Sequence, residues 1–96
     1  MALLNITELA ALRLVDGGPA QIGQLPEEAV QEVTFSASTQ STAFGAKTKY
    51  IRLVSDADCR IKVGENPTAT GTDLLLKAGV IEYFGVPSGF KLAVVL

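Results

Sequence analysis

The second half of the chain, from Thr48 to Leu96, alternates short hydrophobic segments with turn sequences, and this pattern limits the possible folds more than any other feature. The turns are rich in Asp, Asn, Pro and Gly, which supply or tolerate the backbone angles of tight turns. Short segments in which apolar and polar residues alternate are typical of strands with one buried face. The pattern therefore predicts an all-β domain, either a small antiparallel β-sandwich or a jelly-roll-like barrel.

Seven or eight short strands are expected, among them strands at residues 20–25, 29–37, 49–55, 59–64, 73–77, 80–86 and 90–96. Only Asp56-Ala57-Asp58 separates the strands at 49–55 and 59–64, which predicts an antiparallel hairpin. The last strand is apolar on both faces, so we expect it either at the centre of a two-layer structure or in a subunit contact. Phe44 is the one large apolar residue of its loop and is expected to anchor that loop to the core.

Residues 1–15 admit two structures. Asn5 and Glu8 have the spacing of a helix capping box, whereas the alternation around Leu4 and Ile6 suits an extended arm that pairs with another strand. We divide the chain into an N-terminal arm and hairpin at 1–28 and a β-sandwich domain at 29–96.

An arm of this kind predicts where a partner would be contacted. The expected contacts are Leu4, Ile6 and Leu9 of the arm, together with Phe44. An added strand gains main-chain hydrogen bonds without needing a large core of its own. Deletion of residues 1–9 is then expected to weaken attachment to the partner while the domain stays folded.

Composition limits the partners. Hydrophobic residues make up 48% of only 96 residues, more than one small core can hide, so we expect other subunits to cover part of the apolar surface. The formal net charge is -2 and the basic residues are scattered, which argues against nucleic-acid binding. No apolar run approaches the roughly 18 residues of a membrane helix, and the first residues lack the basic start of a secretory signal.

The residues that carry most enzyme chemistry are missing from the sequence. Histidine is absent, which removes the commonest general base and metal ligand. Cys59 is the only cysteine and is expected to be a buried small hydrophobe. Asp56 and Asp58 are explained by their turn and make a poor calcium site. We therefore predict no catalytic residues, no cofactor and no metal, and we do not expect an enzyme.

Six stretches together resemble a family of small structural proteins from the virions of tailed bacteriophages. They cover most of the chain: LLNITE at 3–8, QSTAF at 40–44, TKYIRL at 48–53, VGENPTAT at 63–70, EYFGV at 82–86 and KLAVV at 91–95. The resemblance implies a structural part and brings no catalytic residues.

From the resemblance and the apolar excess we expect a capsid decoration (cement) protein on the outer surface of a phage head. Its expected partners are the major capsid protein and further copies of itself, as a homotrimer, with no nucleic acid and no membrane. It would be in the host cytoplasm during assembly. One alternative is a head-tail connector, tail or fibre-base component. The other is a host-surface binding module, which requires exposed aromatic residues in loops 40–48 or 65–72, where only Phe44 is a candidate.

Overall fold

The computed structural model describes residues 2–10, 12–15, 18–23 and 27–96, and the regular secondary structure in these ranges is entirely β-strand. Several of the strands form where apolar residues recur at every second position, which gives each of these strands one face for a core. In chain order they are β1 (Ala2–Leu9), β2 (Leu12–Val15), β3 (Gly18–Gly23), β4 (Ala29–Phe35), β5 (Thr39–Gln40), β6 (Tyr50–Ser55), β7 (Cys59–Gly64), β8 (Leu74–Leu76), β9 (Glu82–Gly85) and β10 (Lys91–Val95).

Eight of these strands form two four-stranded antiparallel sheets, which pack together as a small β-sandwich. The first sheet has the order β4-β1-β6-β9, and the second sheet has the order β5-β10-β7-β8. The sheets do not close into a barrel, so the sandwich is the one of the two predicted architectures that is found. β2 and β3 pair with each other in a separate two-stranded sheet, between β1 and β4 in the chain.

The core lies between the inner faces of the two sheets. β10 lies between β5 and β7 in the second sheet, and its Leu92 and Val94 are fully buried in the core. Ala93 on its second face is fully buried as well. The core residues are Ala2, Leu4, Ile6, Val33, Phe35, Phe44, Ile51, Leu53, Cys59, Ile61, Leu76, Val86, Leu92 and Val94.

β1 is an inner strand of the sandwich, and this corrects the expectation of an arm. It pairs with β4 from Ala2 to Glu8 and with β6 from Leu4 to Leu9. Of the two alternatives for this segment, the extended one is found over residues 2–9. Alternation shows that one face of a strand is buried. The same pattern is found whether the strand pairs within its own chain or with a strand of another subunit. The sequence therefore did not identify the partner strand.

β6 and β7 lie in different sheets, so the predicted hairpin between them is wrong. The connection Asp56-Ala57-Asp58 crosses from the first sheet to the second. It is attached to the start of β1, because Leu3 N donates to a side-chain oxygen of Asp56 (2.8 Å) and Asp56 N donates to Leu3 O (3.1 Å). A three-residue connection suits either a hairpin or such a crossing, and its length alone does not distinguish them.

Candidate interaction surface

Both sheets have an open edge where β8 leads into β9. β8 is the last strand of the second sheet, β9 is the last strand of the first, and residues 77–81 join them. The outward backbone groups of an edge strand have no partner within their sheet, so another strand can add there. The two neighbouring edges thus form one side of the sandwich that is open to a partner.

A tight turn from Lys77 to Val80 holds this connection in place. Val80 N donates to Lys77 O (3.3 Å), and Gly79, the third residue, has a φ of 74°. A positive φ at this position is the requirement of a type II turn and favours glycine. Gly79 N also donates to Ser55 O (2.9 Å), which attaches the turn to the end of β6.

Asp58 holds the same turn from the side of the second sheet. Its carboxylate accepts hydrogen bonds from Lys77 Nζ (2.7 Å) and Ala78 N (2.9 Å). The hydrogen bond from Lys77, followed by that from Ala78, lowers the pKa of Asp58 below its ordinary value of 3.8. The pair is exposed, so it orients the turn and adds little stability.

Five large apolar side chains around this turn are about half exposed, and we refer to them as the β8–β9 border. Three consecutive leucines cannot all lie on one face of a strand, and of Leu74, Leu75 and Leu76 only the last is buried. Apolar residues exposed close together mark surfaces that bind other proteins. The members of the border are Leu74, Leu75, Val80, Ile81 and Tyr83.

Tyr83 joins the border to the outer face of the first sheet. Its ring lies 6.3 Å from the ring of Tyr50, within the distance at which aromatic pairs attract. Arg52 is paired directly with Tyr83 across the β6–β9 ladder. The exposed aromatic group of the domain is therefore on a sheet face. It is not in the loops that the host-surface hypothesis requires, where Phe44 is only 2% exposed.

The other edge of the first sheet, β4, has a different chemical character. Glu28 and Glu32 are exposed on either side of Val30, which is itself 52% exposed. A cleft of about 440 Å³ lies along this edge, between β4 and the loop that follows β5. Its lining residues are Glu8, Glu28, Ala29, Val30, Gln31, Thr42, Ala43, Gly45, Ala46, Lys47 and Thr48.

A buried carboxylate lies at the base of this cleft. Glu8 Oε1 accepts hydrogen bonds from Gly45 N and Thr48 Oγ1, both at 2.8 Å, and Oε2 accepts one from Gln31 Nε2 at 2.9 Å. Gln31 Oε1 in turn accepts from Thr42 N (3.0 Å). No buried side-chain polar atom lacks a hydrogen bond in the part of the chain that the structure describes. Glu8 therefore ties β1, β4 and the loop together.

The role of Glu8 could have been found in the sequence. It continues the alternation of Leu4 and Ile6, so a strand reading places its side chain on the buried face. A carboxylate buried in this way requires hydrogen-bond donors nearby. The capping-box reading of Glu8 is not the one found, because residues 2–9 form a strand.

The four residues predicted to contact a partner all lie inside the domain. Leu4 and Ile6 are fully buried, and Leu9 and Phe44 are each 2% exposed. A partner contact at these positions stays a prediction. The prediction that Phe44 anchors its loop is confirmed, because its side chain is in the core and its N–H donates to Phe90 O (2.8 Å).

Cys59 is a buried free cysteine, as expected from its place in an alternating strand. Burial raises the pKa of its thiol, which disfavours the reactive thiolate. The described ranges contain no cluster of three or more side chains that could hold a metal ion. No helix able to cross a membrane was found in them.

Comparisons with models of known protein families, with curated proteins and with solved structures found no match.

Proposed function

We propose that the protein is a structural subunit of a tailed-bacteriophage virion that binds the outer surface of the head shell as a decoration (cement) protein. The observation that carries the proposal is the β8–β9 border, where large apolar side chains are exposed beside the open edges of both sheets. A surface of this kind is costly for a small domain to leave in water and favours a permanent partner. The resemblance to virion proteins indicates what that partner is.

Decoration uses the border through repetition. A single small contact binds weakly, but a shell offers many equivalent positions, and subunits that touch both the major capsid protein and one another gain avidity. Each copy then holds neighbouring capsid subunits together by the area that it buries. This task needs a rigid scaffold with an apolar surface and requires no reactive group.

The number of copies in the particle tests the proposal. We expect quantitative mass spectrometry of purified virions to find on the order of hundreds of copies, one for each of the repeated positions of a shell. About a dozen copies would instead indicate the head-tail connector or tail alternative, since such rings contain few subunits. Absence from the particle would refute both.

A pair of variants tests the surface itself. We expect Leu75→Lys to weaken binding to undecorated heads by at least about tenfold, because it places a charge in an apolar contact. Thr68→Lys is the matched control, since it adds the same charge in an exposed loop outside the border. Co-sedimentation with heads measures binding, and thermal unfolding verifies that both variants fold. Equal binding by both would show that the border does not touch the shell.

A further inference from the structure

We propose that the protein forms a closed ring in which β4 of each copy adds to β9 of the next, so that the first sheet continues from copy to copy. The proposal goes beyond shell binding and does not depend on it, because it concerns only contacts between copies of this chain. It is carried by the direction of the strands, by their open edges and by the residues beside them.

Strand direction permits this arrangement. Each neighbouring pair in the order β4-β1-β6-β9 is antiparallel, so β4 and β9 run in opposite directions. A second copy in the same orientation therefore presents its β4 antiparallel to β9 of the first. Rotation about an axis along the strands keeps this relation at every step, and head-to-tail contacts form a ring when that rotation closes on the first copy.

The backbone edges can pair. β9 has four residues and β4 has seven, and each strand has a neighbour on only one side within the first sheet. The outward N–H and C=O groups of β4 can therefore bond those of β9 in a second copy, as in other cases of strand addition. Every copy would gain a ladder of backbone hydrogen bonds on both edges of its first sheet.

The side chains on the two edges are complementary in charge. On β4, Val33 and Phe35 are buried, so Glu32 and Val30 lie on the outer face, and Glu28, just before the strand, is exposed. On the other edge, Arg52 lies one strand inward, directly opposite Tyr83. Its side chain is long enough to cross the roughly 4.8 Å to the edge strand and approach an incoming carboxylate. The ion pair found in the described ranges is Lys77–Asp58, and the side chain of Arg52 is partly exposed.

The apolar residues match as well. Ile81 and Tyr83 are half exposed beside the β9 edge, and Val30 is half exposed on β4. The cleft of about 440 Å³ along β4 has an apolar part formed by Ala29, Val30, Ala43 and Ala46, and has room for a large side chain of the next copy. Glu82, the acidic residue of β9, is paired with the buried Leu53 and so lies on the inner face, away from Glu32.

Symmetric pairing of identical edges fits these charges poorly. Two β4 strands paired around Val30 would bring Glu28 of one copy opposite Glu32 of the other. Like charges placed together in an interface are strongly unfavourable. Charged and short edge strands also protect monomers from aggregation, but on the outer face of β9 Tyr83 is half exposed, and Ile81, half exposed as well, comes just before the strand.

Charge reversal tests the ring. We expect the wild-type chain to form one discrete closed oligomer in sedimentation velocity and light scattering. Glu32→Arg and Arg52→Glu should each raise the concentration at which the ring dissociates by at least about tenfold. The double variant E32R/R52E restores opposite charges across every contact and should recover the ring. Lys62→Glu and Glu65→Arg, on the second sheet and in a loop, are matched controls that should change nothing.

Several outcomes would overturn the proposal. These are a monomeric wild-type chain at every concentration, an oligomer that both single reversals leave intact, or a double variant that stays dissociated. If Arg52→Glu fails to fold by circular dichroism, Arg52→Gln removes the charge more gently and should still weaken the ring. Binding of the dissociated variants to heads keeps the two proposals separate, because the oligomeric state of the free chain tests the ring and head binding tests only the contact with the shell.

Discussion

Glu8 carries a buried carboxylate that joins three segments of the chain. Glu8→Ala leaves the N–H of Gly45, the hydroxyl of Thr48 and the amide of Gln31 without their acceptor. A buried polar group that loses its partner costs roughly 1–3 kcal/mol. We therefore expect this substitution to lower the free energy of unfolding by about 3 kcal/mol in urea denaturation.

A swap of the two side chains provides the control. Glu8→Gln alone places an amide donor against the amide donor of Gln31 and should destabilise the domain. In E8Q/Q31E the new amide at position 8 donates to the new carboxylate at position 31, and acceptors remain for Gly45, Thr48 and Thr42. The double variant should recover most of the loss, and no recovery would show that the network does not act as a unit.

Asp58 offers a prediction about pH at the turn of the β8–β9 border. Lys77→Ala removes the main cause of its lowered pKa, so the pKa should rise towards 3.8, while the Ala78 hydrogen bond retains part of the shift. Because the folded pKa is below the unfolded one, the contribution of Asp58 to stability is present above the unfolded value and is lost as pH falls through the folded value. Carboxyl chemical shifts in an NMR titration measure this, and an unchanged pKa in the variant would contradict it.

Two deletions distinguish the roles of the N-terminal elements. Removal of residues 1–9 takes away an inner strand with Leu4 and Ile6, each worth about 1.5–3 kcal/mol of burial. We now expect this deletion to unfold a domain of marginal stability, contrary to the sequence-based expectation.

A short turn in place of residues 10–27 should instead leave the sandwich folded, because β2 and β3 pair only with each other among the described strands. Its melting temperature should fall by no more than about 8 °C, the equivalent of about 1 kcal/mol.

The positions of the strands were largely predictable, whereas their partners were not. β7 has the predicted bounds, and β4, β6, β8, β9 and β10 lie within their predicted ranges. Alternation and turn residues are local signals, and they are sufficient to locate a strand. Pairing depends on contacts between distant parts of the chain, so β1 and the β6–β7 connection were placed incorrectly.

Because strand pairing is not a local signal, the β8–β9 border could not be found from the sequence either. Whether Leu75, Ile81 or Tyr83 is covered depends on which strand lies at an edge, and that order is a property of the whole sheet. Leu4 and Ile6 are predicted as contacts because they are apolar residues of an alternating segment, and core and interface share this pattern. The run from Leu74 to Leu76 was the available signal, since one strand face cannot bury all three residues.

At the scale of the whole molecule, the apolar excess of the composition is distributed unevenly. The inner strands β1, β6, β7 and β10 hold most of the core, and the exposed apolar side chains lie mainly along β8, β9 and the turn between them. Local stability should be highest in the inner strands and lowest at the edges. Amides between paired inner strands exchange only when the core opens, whereas amides on the edges exchange through local opening. A partner that covers one edge would therefore protect the amides of that edge alone.

Hydrogen exchange can therefore reveal which edges pair in the assembled protein. We expect the slowest exchange in β1, β6, β7 and β10 of both wild-type chain and Glu32→Arg variant. If the ring forms as proposed, the outward amides of β4 and β9 should be protected in the wild type and lose this protection in the variant, while β8 exchanges equally in both. Protection of β9 without β4 would indicate symmetric pairing of identical edges, because a head-to-tail contact must cover both edges of every copy.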